Sequence, residues 1–194
     1  MFVKIMGELV VRIPPNMLSS DYKSAVFDVG RDSLEGKLIN ITKDDKTVSK
    51  CYVIKLLSIE AVGEGTIVHG DGAVYQYVKY EGLGFEPLMH EVIDGEVISV
   101  PKFGAFVKLG PFDGLLHISQ IMDDRIDVDI GNQRIVGKDT KKDIKVGDKI
   151  RVRIVSLNLN SATLEDSRIG LTMKQTGLGK LEWLESARRE SVGS

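Results

Sequence analysis

Apolar and polar positions run in short alternating stretches along most of this chain. Over residues 2–13, Phe2, Val3, Ile5, Leu9, Val10 and Val11 supply β-type side chains, and Pro14-Pro15 ends the run, which predicts a first strand. The spacing then changes to three and four. Leu18, Tyr22, Ala25, Val26, Val29 and Leu34 predict a helix over about 17–35, with Asn16 available as its cap and Gly36 as its stop. Alternation returns at about 37–42 and 47–59, two strands joined by the polar turn Lys43-Asp44-Asp45-Lys46. Thr66–His69 and Ala73–Tyr80 flank Gly70-Asp71-Gly72, whose Asp-Gly step suits a tight hairpin. The order is β-α-β-β-β-β.

Gly82-Leu83-Gly84-Phe85-Glu86-Pro87 is rich in turn residues and reads as a seam. Behind it, five short strands are predicted at about 91–99, 103–109, 114–118, 148–156 and 168–174, a number and spacing that fit a small Greek-key barrel of the OB type. A polar insertion at about 120–145 interrupts them. An amphipathic segment at about 178–190, carrying Leu181, Trp183 and Leu184, predicts a closing helix. The chain therefore reads as α+β, with domains at 1–82 and 83–190.

Strand parity sorts the side chains of the second half. Ala105, Val107 and Leu109 share one face, against Phe106 and Lys108. Leu116 and Ile118 oppose Leu115 and His117. Ile150, Val152 and Ile154 oppose Lys149, Arg151 and Arg153, and Ile169, Leu171 and Met173 oppose Arg168, Thr172 and Lys174. The aliphatic sets make one interior. Phe106, Lys108, His117, Arg151 and Arg153 then point outward, and a bend at Gly104 would aim Phe103 at the same surface. Aromatics, a histidine and cations on an outer wall compose a single-strand-binding face. Taken singly, each has a plainer reading: the phenylalanines as cover for a barrel mouth, the basic row as a solvated face.

Charge limits how nucleic acid could be held. The chain of 194 residues has a formal net charge of −2, so binding needs a local patch rather than bulk positive charge. The single cysteine, Cys51, lies in the apolar run Cys51-Tyr52-Val53-Ile54 and reads as core; neither a disulfide framework nor a zinc site follows from it. The apolar start carries Lys4 and Glu8 and is too short for a membrane span, so the chain reads as intracellular, soluble and cytoplasmic. No catalytic constellation, metal site or cofactor is indicated. Asp123-Asp124 with Asp127 and Asp129 sit in the polar insertion and read as a solvated loop, and Ser19-Ser20 and His90 have no evident partners. Gly63-Glu64-Gly65 and Gly70-Asp71-Gly72 lack the Lys-Ser/Thr of a phosphate-binding loop.

From Glu91 to Lys174 the chain resembles the S1 RNA-binding domain. The resemblance rests on Gly95-Glu96-Val97, Phe103-Gly104-Ala105-Phe106-Val107, Gly114-Leu115-Leu116-His117-Ile118-Ser119, Val146–Val152 and Arg168–Lys174, in that order. In that family the two strand-two aromatics and the strand-three histidine contact RNA, which implies Phe103, Phe106 and His117 here. The first half, with Pro14-Pro15, the helix, Ile59–Gly65 and Gly70–Ala73, resembles the larger stalk subunit of archaeal DNA-directed RNA polymerase. That resemblance implies a truncated RNP-like α/β domain that docks on the polymerase core subunits. It further implies an S1 domain that reaches nascent single-stranded RNA, and a small helical stalk partner, the other subunit of the stalk. By analogy the docking tip would comprise Gly63, Glu64, Gly65, Gly70, Asp71 and Gly72, residues that in themselves are turn chemistry. The insertion at 120–145 is longer than in a minimal S1 domain. The rival expectation is an S1-domain adaptor of an exosome-like RNA-decay complex or of a translation complex.

Overall fold

The computed structural model describes residues 1–18, 21–43, 47–160 and 167–192. The chain divides into two compact units, Met1–Glu86 and Pro87–Ser194.

The amino-terminal unit is one twisted antiparallel sheet with a helix on one face. Its elements are β1 (Phe2–Ile13), a single 3-10 turn at Pro15–Met17, α1 (Tyr22–Leu34), β2 (Leu38–Lys43), β3 (Thr47–Ala61), β4 (Thr66–Ile67) and β5 (Val74–Phe85). Spatial order is β1-β5-β3-β2, with β4 also on β5. Along β1 the odd positions Ile5, Val11 and Ile13 are buried and pack toward Ala25, Val26 and Leu34 of α1, as alternation demands. At Gly30 the helix lies close on β3: a Cβ there would be 2.3 Å from Ile59 Cδ1, and that side-chain end would have to turn aside.

Three details differ from expectation. The helix starts at Tyr22 with Asp21 as its N-cap rather than Asn16, because Pro14 and Pro15 first force a 3-10 turn. Gly82–Phe85 is strand, not seam; a Cβ on Gly84 would meet Cys51 Sγ at 2.3 Å, so glycine there lets β5 press against β3. Between β4 and β5 the chain makes a six-residue loop, wider than the tight hairpin expected around Gly70-Asp71-Gly72. The turn at Asp44–Lys46 and the Ser19-Ser20 pair lie outside the described residues.

The carboxy-terminal unit is a five-stranded barrel of β6 (Val92–Ser99), β7 (Gly104–Leu109), β8 (Phe112–His117), β12 (Lys149–Asn158) and β13 (Arg168–Thr172). Its order is β13-β8-β7-β6-β12, closed by β12–β13 pairing, with β8 and β13 parallel. Val97, Ala105, Val107, Leu109, Leu116, Ile150, Val152, Ile154, Ile169 and Leu171 fill the interior, all at 2% exposure or less. Each of the larger aliphatics contributes about 1.5–3 kcal/mol by leaving water. The predicted parity fails at one place: Thr172 is buried, because its hydroxyl donates to Gln120 Oε1 at 2.9 Å.

The polar insertion forms a sheet of its own: β9 (Ile126–Asp129), β10 (Arg134–Gly137) and β11 (Asp143–Lys145), in the order β11-β10-β9. Ile135 and Ile144 are its buried pair across β10 and β11. The chain ends on β14 (Gly179–Lys180), paired with β12, and α2 (Leu181–Val192). Lys180, with a side chain only 7% exposed, bonds Asp148 at 2.9 Å and Glu182 at 3.1 Å, tying this last segment to the mouth of the barrel. Burial works against the Lys180 charge, but Asp148 and Glu182 outweigh it and the ammonium pKa is raised.

Candidate nucleic-acid interface and docking tip

The aromatic edge is built around Gly104. A Cβ at that position would sit 2.2 Å from the carbonyl oxygen of Leu116, so only glycine lets β7 begin this close to β8. The bend carries Phe103 out of the strand and onto the same surface as Phe106. Their rings meet edge to face at 88°, with centroids 6.1 Å apart. Phe103 is 48% exposed and Phe106 half-buried, so one ring is braced and the other is open to solvent.

His117 lies across from Gly104 in the β7–β8 register and is exposed. Its Nδ1 accepts the backbone N–H of Ser119 at 3.2 Å and lies 2.8 Å from the Ser119 hydroxyl. These bonds assign the neutral tautomer: Nε2 carries the proton and is the ring's free donor. Two rings and one oriented N–H donor, all at one end of β7–β8, can stack bases and hold one edge or phosphate.

The expected cations are not gathered there. Lys108 is exposed on β7, with Glu96 and Asp113 as its cross-strand neighbours. Arg151 and Arg153 stand on β12, separated from β7 by the whole of β6. Arg151 is engaged by Asp94 of β6 in a two-pronged pair, Nε to Oδ1 at 2.6 Å and Nη2 to Oδ2 at 2.8 Å. That hydrogen bonding lowers the Asp94 pKa and raises that of Arg151. Arg153 has its Nε buried without a hydrogen-bond partner among the described residues. The structure thus brings Phe103, Phe106 and His117 together and sets the arginines apart behind a strip carrying Asp94 and Glu96.

In the amino-terminal unit, Gly63, Glu64, Gly65, Gly70, Asp71 and Gly72 are all exposed, in the two loops that flank β4. Gly63 and Gly70 have positive φ of 69° and 90° and open space where a Cβ would be. Asp71 is not open: Arg12 of β1 grips it with Nε at 2.9 Å and Nη2 at 2.5 Å, and the Tyr75 hydroxyl donates to it at 2.7 Å. Those bonds hold its carboxyl down at about 2. Buried Gln76 pins the other loop, its Nε2 donating to the carbonyl of Val62 at 3.1 Å. Beside Glu64, Thr66 and His69, these loops and β4 expose the apolar side chains of Val62, Ile67 at 67% and Val68.

Comparison with known proteins separates the readings left open by geometry. Residues 86–164 match the S1 RNA binding domain, and residues 8–72 match the SHS2 domain found in N terminus of Rpb7p/Rpc25p/MJ0397. The chain is 39% identical over 184 residues to the DNA-directed RNA polymerase subunit Rpo7 of Sulfolobus acidocaldarius, covering 95% of each chain. It belongs to the Rpo7 family. A second Rpo7, from Saccharolobus shibatae, is 38% identical over 189 residues, covering 97% of this chain and all of the relative. Kinship through the S1 part alone looks different: the small ribosomal subunit protein bS1 of Leuconostoc lactis is 36% identical over 104 residues but only 20% of it is covered.

Several residues that shape these sites in this Rpo7-family chain escaped sequence reasoning. Arg12, Tyr75 and Gln76 look like ordinary sheet positions, and only the pairing of β1 with β5 delivers them to the loops. Lys174, joined to Asp123, and Trp183, with the Lys142 ammonium 5.3 Å from its ring centre, lie beside the insertion that reads as mere loop. No described helix is long and apolar enough to cross a membrane. Among the described residues no group of three or more His, Cys, Asp and Glu is placed to hold a metal ion.

Proposed function

We propose that this chain is the larger stalk subunit of a DNA-directed RNA polymerase, docking through its amino-terminal loops and holding nascent single-stranded RNA on its barrel. The observation that carries the reading is end-to-end identity with Rpo7 polymerase subunits, both units included. Such a subunit is accessory. It supplies position and grip, while nucleotidyl transfer belongs to the polymerase core, and it needs no cofactor of its own.

Stacking on Phe103 and Phe106 contributes about 1–3 kcal/mol per base with little sequence preference. The His117 Nε2 proton adds one hydrogen bond, and Lys108 adds a salt-sensitive phosphate contact. Arg151 and Arg153 serve as phosphate contacts only for a strand that wraps past β6. On the docking side, the contact area comes from Val62, Ile67 and Val68. Gly63, Glu64, Gly65, Gly70 and Gly72 let the loops lie flat, and Asp71 locks one of them through Arg12. The smaller, helical member of the stalk would be its direct partner, and the compartment is the cytoplasm.

Two measurements test this. The full chain carrying Phe106→Ala should bind a single-stranded RNA about tenfold or more weakly at low salt, with an unchanged melting temperature. Undiminished affinity removes the base-stacking assignment. Tagged protein should retain polymerase large subunits from cells, and Ile67→Asp should release them; capture of ribosomal or exosome proteins instead would establish the rival reading.

A further inference from the structure

A concave path leaves the aromatic edge and has no place in the function proposed above. It begins at Ser119, the residue bonded to His117, which lines a cavity of about 630 Å³. A second cavity, of about 320 Å³, ends at Trp183 and Lys142. Met122, Asp123, Asp124 and Lys174 line both, so the two depressions adjoin and run as a groove with that wall in common, between the insertion and the segment after β13. Arg125 lines the near part.

We propose that this groove continues the single-strand track, with Trp183 as a second base-stacking position. The inference rests on the RNA-binding reading of the Phe103–Phe106–His117 edge. Trp183 is half-buried, with Gly179 packed against its ring, so the indole is held in place. The Lys142 ammonium lies 5.3 Å from the ring centre and is otherwise exposed. A cation over an indole marks a ring face that attracts an arriving π-system or charge. A base stacking on Trp183 replaces Lys142 there, and the freed ammonium meets the phosphate of the same nucleotide.

The groove's carboxylates do not make it hostile to RNA. Asp124 accepts the Thr140 hydroxyl at 2.7 Å and the backbone N–H groups of Thr140 and Asp139 at 2.9 and 3.1 Å, and its pKa is strongly lowered by those bonds. Asp123 is paired with Lys174. Together with Asp139, these anions are balanced by Arg125, Lys142 and Lys174, leaving the lining neutral. Stacking, not bulk charge, supplies the affinity.

Trp183 is the only tryptophan in the chain, so its emission reports this site alone. The full chain would be titrated with oligoadenylates of about four and about twelve nucleotides, lengths that bracket the span of one OB fold. Binding would be read by anisotropy of labelled strands and tryptophan emission with unlabelled ones. The expected result is that both bind, that only the longer quenches, and that Trp183→Leu weakens the longer about tenfold while sparing the shorter. If both bind and emission does not change at saturation, the groove holds no base and the proposal is overturned while the aromatic edge stands. Equal losses for both lengths on Trp183→Leu overturn it as well. No binding at either length overturns this proposal and the RNA-binding reading together.

Discussion

The outer surfaces of β7–β8 and of β12 carry similar side chains and hold them in different ways. On β7–β8, Phe103 and His117 stand exposed, and Phe106 is braced by Phe103. On β12, Arg151 is clamped by Asp94, and the same end of the strand is fastened by the buried Lys180–Asp148 pair. On β12 it is Arg151 whose charge is spent inside the fold, whereas the Phe103 ring and His117 remain exposed for a ligand. Arg151 is therefore a girder and the β7–β8 edge a handle, although strand parity alone would group them as one surface.

That contrast is breakable at four points. Lys180→Met leaves the buried Asp148 carboxylate without its counter-ion, with the backbone N–H of Lys145 still bonded to it, and should lower stability by about 3 kcal/mol, read as a shifted urea midpoint. Gly104→Ala comes next: its methyl meets backbone, not a yielding side chain, so about 2 kcal/mol of stability should be lost, with RNA affinity falling because Phe103 is re-aimed. Arg151→Gln should change RNA affinity by less than about 0.5 kcal/mol, far below the Phe106→Ala loss; an equal loss would merge the two surfaces again. The smallest effect concerns acid. Asp94 has a lowered pKa in the folded state, so its contribution is fully present above the ordinary carboxylate value of about 3.9 and fades as pH falls further. Asp94→Asn should therefore melt closer to wild type at pH 3 than at pH 6.

Much of this was legible in residue order. Alternation placed Val107, Leu116, Val152 and Leu171 inside the barrel, and the three-to-four spacing found α1. Parity also put Phe106 and His117 outside. It could not say which strands are neighbours, and that is why Arg151 seemed to share a wall with Phe106 until β6 came between them. The insertion failed for another reason: Ile126-Asp127-Val128-Asp129 does alternate, but Arg134-Ile135-Val136 does not, and runs this short give little signal without a partner strand. Asp71 failed by omission, since its grip by Arg12 depends on a register that pairs Arg12 with Tyr75, far along the chain. The Gly82–Phe85 stretch shows a glycine pair serving close packing where turn chemistry was the simpler reading.

The position of β5 has a consequence in time. It lies between β1 and β3, yet it is the last strand of its unit to be made; the register runs from Phe2 opposite Phe85 to Ile13 opposite Val74. While the ribosome is still adding residues 14–73, α1 can already cover the apolar face of β1, but the backbone edge of β1 has no strand to pair with. The hairpin of β2 and β3 can close early, but the loops that flank β4 acquire their geometry only when the final strand emerges. A chain released before that point would carry the unpaired edges of β1 and β3, so the sheet is complete only once synthesis has passed Phe85.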